Sequence, residues 1–424
     1  MQLSKLITKL FDSDFIKKII ETYLTQILSL AINFLSMILF SRLLGPEPRG
    51  ILAAAMTLIA MGVQFGNMGL HASNAYYVAA DRTLLSVIIG NTCIISLVLG
   101  SLISTFIYVL SLINPSFIPI NGTILLWASF LIPVALANLL FQNILLGIQE
   151  VRTYNKVEVF VKFFAFFSIL ILLLIGIRSI PWTLSVHFLV SSFSIYYIWS
   201  KIRPLVNGKA AFSFPFFKKS IAYGFRAYLG AFFSFLVIRI DLLMVKHYLG
   251  FEETGYYSVA SNIADMIIMF PALIGTLLFP KIVAISDPFE KFKIVKKTAF
   301  GVFLLMLVLC TGCAFTAKPI ISTLLGPKFL PAASALLWLL PGLVSLSVNI
   351  VFMNYLASLG FPLIAILSPF FAASLNILLN TKLIPELGII GASFASSICY
   401  SLMLATSLIY LSFRNRLEVT RTIS

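Results

Sequence analysis

The chain has 424 residues, of which 60% are hydrophobic and 11% charged, with a formal net charge of +15. A soluble domain carries about 25% charged residues, so no soluble fold of this length could hide so much apolar surface. Runs such as 163–177 and 301–315 show neither the alternation of a barrel strand nor the polar face of a soluble helix, which predicts an all-α integral membrane protein of about 12 spans.

In chain order, residues 1–23 interleave Lys5, Lys9, Lys17 and Lys18 with apolar side chains. Without a small-residue cleavage site the segment reads as an amphipathic lead-in rather than a cleaved signal. The spans are predicted at roughly 21–43, 51–73, 84–113, 123–148, 158–177, 181–200, 220–248, 256–280, 298–316, 332–357, 362–381 and 388–412. In the first span Thr22, Gln26, Ser29, Asn33 and Ser36 recur at spacings of 4, 3, 4 and 3, one narrow polar stripe on a helix. The second span repeats the pattern with Gln64, Asn67, His71 and Asn74. Each stripe reads either as glue between helices or as the wall of a wet cavity, where hydroxyls and amides bind sugar without reading one sugar closely.

Intramembrane ionisable residues are costly enough to be functional candidates. Glu158 and Lys162 stand near the inner end of the fifth span, and Glu158 and His71 are candidates for ion coupling; for Lys162, snorkelling to headgroups is an equal reading. The seventh span carries Arg226, Arg239 and Asp241. Arg226 and Asp241 lie about 60° apart around a helix but about 22 Å apart along it, too far to pair. Arg239 points away from both, with Asp265 on the next span as a candidate partner. For Arg239, Asp241 and Asp265 a structural ion pair and a role in transport or ion coupling both stay open. Cys93, Cys310, Cys313 and Cys399 all lie in apolar segments. The C-x-x-C pair lacks the second pair or histidine of a zinc site, so no metal or cofactor is expected.

With both ends cytoplasmic, inner segments hold 21 of the 30 Lys and Arg, including the stretch from Lys201 to Lys219. Outer segments hold Arg42, Arg49, Arg178, Lys246, Lys318, Lys328 and Lys382. This bias orients the chain and makes anionic lipid, not nucleic acid, the counterpart of the net charge. Leu44 to Gly50 and Leu249 to Gly255 both read L-G-x-E-x-x-G, 205 residues apart, after the first and seventh spans. An even number of spans between them predicts a parallel repeat: lobes 1–203 and 204–424, joined by the basic stretch containing Pro204, Gly208 and Pro215.

The stretch from Ser41 to Gly50 resembles the end of the first span in bacterial polysaccharide flippases. So do Arg239 to Met244, Gly255 to Ala260 and Pro271 to Pro280. Together they resemble the O-antigen and exopolysaccharide repeat-unit flippases of the multidrug/oligosaccharidyl-lipid/polysaccharide exporter superfamily; Phe251 departs from the family, which commonly has proline there. The resemblance implies two six-helix lobes around a central cavity in the cytoplasmic (inner) membrane. It also implies alternating access on an undecaprenyl-diphosphate-linked oligosaccharide in lipopolysaccharide or other polysaccharide biosynthesis, with polymerase partners. Arg226, near the cytoplasmic entrance and with no acid within a turn or two, is then the candidate for the carrier diphosphate, since a guanidinium offers a planar fork of donors. Gln26, Asn33, Gln64, Asn67, Lys162 and Arg239 complete the candidate substrate set. A drug or cation extruder of the same fold is the alternative, and it would favour acidic cavity residues. A membrane-embedded glycosyltransferase or polymerase would need a sizeable outer loop with carboxylates, so an enzyme is not expected.

Overall fold

The computed structural model describes residues 13–114, 120, 122–206 and 208–423, with side chains described for all of these except 13–16, 18, 19 and 415–423. The amino-terminal lead-in thus falls largely outside the described residues. The described helices are α1 (Ser13–Leu44), α2 (Pro46–Asn67), α3 (Leu70–Ala80), α4 (Leu85–Ile113), α5 (Gly122–Gly147), α6 (Val151–Leu174) and α7 (Ile180–Ile202). They continue with α8 (Phe214–Leu249), α9 (Phe251–Val283), α10 (Pro288–Leu324), α11 (Leu330–Ser358), α12 (Ile364–Leu387) and α13 (Ile389–Ile423). There is no strand among the described residues, as expected where lipid offers backbone groups no partner.

Eleven of these helices are long and apolar enough to cross a membrane. The remaining long helix is α7, with 23 residues, whose Trp182, Trp199, tyrosines and serines make it less apolar. Together they give the all-α membrane architecture of about twelve spans.

The second predicted span is corrected: it is not one helix. α2 stops at Asn67, Met68 (φ 45) and Gly69 (φ 84) take left-handed backbone, and α3 restarts at Leu70. The cause is packing. The space a Cβ on Gly69 would fill lies 2.7 Å from the carbonyl of Gly224 in α8, so only glycine allows the two backbones to meet.

The chain forms two compact units, one of residues Met1–Leu39 with Leu58–Phe225, the other of Phe40–Thr57 with Arg226–Ser424. In the first, α5 packs against α3, α4 and α7, and α6 packs against α7. In the second, α11 packs against α9, α10 and α13, and α12 packs against α13. The hubs, α5 and α11, are the fourth and tenth spans, and each neighbour of one has its counterpart, six spans on, around the other. Even the polar ties match: Ser194 on α7 donates to Asn138 on α5 at 3.2 Å, and Ser407 on α13 donates to Asn349 on α11 at 2.8 Å. The internal repeat is thus a repeat of packing as well as of sequence, with small and hydroxyl residues joining the helices as membrane packing requires.

Aliphatic side chains fill the first unit at Leu85, Ile88, Ile89, Ile144, Leu145 and Ile198, all nearly inaccessible. The turn between α3 and α4 is closed by Asp81, which accepts from the backbone N–H and hydroxyl of Thr83 at 2.9 and 2.7 Å. Those two bonds hold its carboxyl below the usual carboxylate range.

Candidate functional site

The repeated turns position the helices that follow them. Gly45 (φ 83) and Gly250 (φ 87) supply the left-handed turns that the repeat predicts. The last glycine of each motif has a different task. A Cβ on Gly50 would overlap the carbonyl oxygen of Phe251, and one on Gly255 would overlap that of Pro46. Each motif therefore ends where the other's helix begins, backbone against backbone. Of two charges assigned to outer loops, one proves to be structural and the other buried. Arg42 donates to the carbonyls of Leu324 (2.6 Å) and Thr323 at the carboxyl end of α10, where unpaired carbonyls favour a cation. Arg49 lies in the first turn of α2 and is only 5% exposed.

The polar stripes divide by role. On α1, Thr22 accepts from Asn155 of α6 at 3.0 Å and Ser36 donates to its own helix at Ile32, so these two serve packing. Asn33 is exposed, while Gln26 Oε1 and Ser29 Oγ are buried with no hydrogen-bond partner among the described residues. The second stripe is bent by the break between α2 and α3. Asn67 sits at the bend, accepting from the backbone N–H of His71 at 3.2 Å while its amide meets the His71 ring. It thus caps the restarted helix, and His71 is held as a neighbour of the cap. Asn74 donates to Thr92 of α4 at 3.0 Å, and Gln64 is half-buried.

Most of the charges inside spans are committed to one another. Arg239 donates to Asp265 at 2.8 Å and reaches Ser261 at 3.4 Å. Lys162 pairs with Glu158 one turn away at 2.8 Å, so the lysine read as a substrate contact and the glutamate read as an ion site neutralise each other. Asp241 is different. It is 2% exposed and accepts from the Tyr257 hydroxyl, from Ser396 Oγ at 2.9 Å and from the Leu242 backbone N–H at 2.8 Å. Ser396 is also reached by Asn376 at 3.2 Å, which in turn accepts from Asn380 at 2.9 Å. A buried carboxylate thus ends a chain of neutral donors spanning α8, α9, α12 and α13, with no cation bonded to it among the described residues.

Arg226, on α8, is exposed and makes no ion pair or hydrogen bond among the described residues. A guanidinium in a span that binds nothing within its own fold has all its donors available. The family model for polysaccharide biosynthesis proteins matches residues 15–286, well over half of the chain and the whole segment carrying both repeat turns, Arg226, Arg239, Asp241 and Asp265. The chain belongs to the polysaccharide biosynthesis protein family.

This family member is 28% identical over 284 residues to "Uncharacterized membrane protein MJ1068" of Methanocaldococcus jannaschii, a match covering 62% of this chain and 54% of that protein. It therefore spans about half the length of that relative. It is 22% identical over 431 residues to "Probable low-salt glycan biosynthesis flippase Agl15" of Haloferax volcanii, covering 94% of this chain and 84% of the other. Among solved structures, an inward-facing multidrug resistance transporter of the MATE family superimposes with a TM-score of 0.74 at 15% identity, over 93% of this chain and 96% of that one. The lipid II flippase MurJ in an inward closed conformation gives 0.68 at 18% identity, over 94% and 87%. The polysaccharide biosynthesis family member therefore shares the fold of these two transporters of known structure. Its sequence alone conceals the burial of Arg49 and the donors of Asp241, because Ser396 stands 155 positions away and no spacing rule links them.

Proposed function

We propose that the chain is a flippase that carries an oligosaccharide repeat unit linked to undecaprenyl diphosphate from the cytoplasmic to the outer leaflet by alternating access. Membership of a polysaccharide biosynthesis family and the fold shared with transporters of known structure support a transporter of glycan precursors, and no bond is made or broken in the reading. The observation that carries it is Arg226. Where Arg239 and Lys162 are paired with Asp265 and Glu158, Arg226 has no partner among the described residues and offers its fork of donors to an anionic cargo, whereas it would repel the cation of an extruder.

Asp241 is the best-suited of the four acid and imidazole candidates for ion coupling. Its hydrogen-bond partners are all neutral, so an arriving cation or proton meets a carboxylate with no cation bonded to it among the described residues, whereas Asp265 and Glu158 already have cations and His71 is tied to the capping Asn67. The protein acts in the cytoplasmic membrane with both termini inside, within a pathway of O-antigen, lipopolysaccharide or exopolysaccharide assembly alongside a polymerase.

In a strain lacking the gene, lipid-linked repeat units are expected to accumulate on the cytoplasmic face. Return of the wild-type chain restores export and Asp241→Asn restores little of it; normal export without the gene would end the flippase reading. Orientation is tested in a chain whose four cysteines are replaced. A cysteine at Ser179 should react with an impermeant thiol reagent in intact cells, and one at Lys209 only after permeabilisation. Equal labelling of both in intact cells would remove the twelve-span arrangement and the parallel repeat with it, and labelling of the Lys209 position alone would reverse the assignment of the inner face.

A further inference from the structure

The charge inventory accounts for the carrier's diphosphate but leaves the sugar without a contact, and the first unit holds an aromatic cluster that packing does not use up. Tyr76 and Tyr77 of α3 meet Tyr223 of α8. Tyr76 and Tyr223 are stacked with centroids 4.2 Å apart and planes 17° apart, and Tyr77 tilts against Tyr223 at 5.5 Å. Phe216 backs Tyr77 edge-on at 5.2 Å, and Lys219 Nζ stands 5.1 Å over the Tyr77 ring. Tyr76 and Tyr223 remain 48% and 46% exposed, and none of the three phenol hydroxyls has a hydrogen-bond partner among the described residues. The rings converge because the bend at Met68–Gly69 and Gly224 bring the two backbones into contact.

Three features set the cluster apart from tyrosines that merely anchor helix ends among headgroups. The rings come from two helices, and Tyr76 and Tyr223, though stacked on one another, both keep nearly half of their surface exposed. On α8, Lys219, Tyr223 and Arg226 recur at spacings of four and three, so they share one helix face, and all three are exposed. Phe216 also borders a small cavity whose lining is half polar, from Asn74, Asn91, Thr92 and Ser220, and half apolar.

We infer that Tyr76 and Tyr223, with Tyr77 and Lys219, form a stacking platform for a pyranose ring of the lipid-linked glycan. A pyranose presents a face of axial C–H groups, slightly positive, that suits the negative face of a phenol ring. Its edge of hydroxyls suits unpartnered phenol oxygens, and Lys219 favours sugars bearing a carboxylate. Such a surface holds many sugars with little discrimination, as a carrier of varied repeat units requires. The inference rests on the flippase reading, with Arg226 engaging the diphosphate and the platform engaging the sugar.

The test separates the two. The purified full chain is titrated with undecaprenyl diphosphate and with the same lipid carrying a glucose-containing trisaccharide, with binding followed by native mass spectrometry. The wild-type chain should prefer the glycosylated lipid by about tenfold, the effect of about 1.4 kcal/mol. Tyr76→Leu and Tyr223→Leu should each remove most of that preference and leave the bare lipid bound as before, while Tyr223→Phe keeps most of it. Arg226→Ala should weaken both lipids alike. A wild-type chain without preference, or leucine variants that weaken both lipids equally, would overturn the platform while leaving the diphosphate reading standing. Failure of the wild-type chain to bind either lipid would sink both. A readout that needs no variant is nitration of Tyr76 and Tyr223 in the wild-type chain: the glycosylated lipid should slow it, and equal rates with both lipids would count against the platform.

Discussion

Arg226→Ala is expected to abolish repeat-unit export while the amount of inserted chain stays at the wild-type level. The two halves of that expectation have separate grounds. Arg226 is exposed and bonds to nothing among the described residues, so truncation removes no internal contact, and surface changes of that kind fall within about ±0.5 kcal/mol of stability. Transport is another matter. Losing one partner of a hydrogen-bonded charge pair costs about 2–5 kcal/mol, or roughly 30-fold to several thousand-fold. Arg226→Lys should recover only part of the activity, because an ammonium keeps the charge but not the planar two-pronged contact. A snorkelling arginine would behave in the opposite way, with lysine replacing it fully. The measurement is export of labelled repeat units at matched protein levels, and normal export by Arg226→Ala would remove the anionic-cargo argument. Lys162→Ala and Arg239→Ala are instructive comparisons, since each strands an acid, Glu158 or Asp265. Their defects should include lost stability.

The sequence makes legible whatever depends on nearest neighbours along a helix or on composition. Apolar runs bounded by charges locate the spans because lipid allows little else. Gly45 and Gly250 mark turns because a left-handed residue is needed where a helix ends. Asp265 stands out in the sequence as a candidate partner of Arg239 because it lies on the next span, and the structure pairs the two. What depends on approach between distant backbones is silent. Gly69 looks like any glycine in an apolar run, and Met68 carries no sign of a bend, so α2 and α3 read as one helix and the second stripe as one straight line. The cause of the bend, Gly224, lies 155 residues on. Arg49 reads as a loop charge by its place next to a turn, yet the start of α2 is drawn inside the second unit and the arginine goes with it. The repeat itself was visible in seven residues, but its meaning required the packing.

That meaning gives the largest expected effect on stability: Gly50→Ala and Gly255→Ala should each destabilise the chain by about 3 kcal/mol or more, at or beyond the upper end of ordinary overpacking. At Gly50 the added carbon would overlap the Phe251 carbonyl oxygen and lie 2.8 Å from the Gly255 nitrogen; at Gly255 it would overlap the Pro46 carbonyl oxygen and lie 2.7 Å from its carbon. These are backbone atoms in the first turns of α2 and α9, so no side chain can swing aside and one helix must move. Intrinsic helix propensity alone points the other way, since alanine gains about 1 kcal/mol over glycine inside a helix. Gly301 in α10 supplies the control, because nothing lies within 4 Å of its Cβ position, and Gly301→Ala should be neutral or slightly stabilising. The measurement is the loss of the monodisperse species on heating in detergent. Gly50→Ala and Gly255→Ala should lose it about 5–10 °C below wild type, and Gly50→Ala melting together with Gly301→Ala would disprove the contact. The double variant should fall short of the sum of the two, because the first alanine already pushes apart the helices the second would strike. Tyr257 stands two residues beyond Gly255 and donates to Asp241. A shift of α9 therefore reaches the buried carboxylate, and the surviving protein should export less of the repeat unit as well as lose heat tolerance.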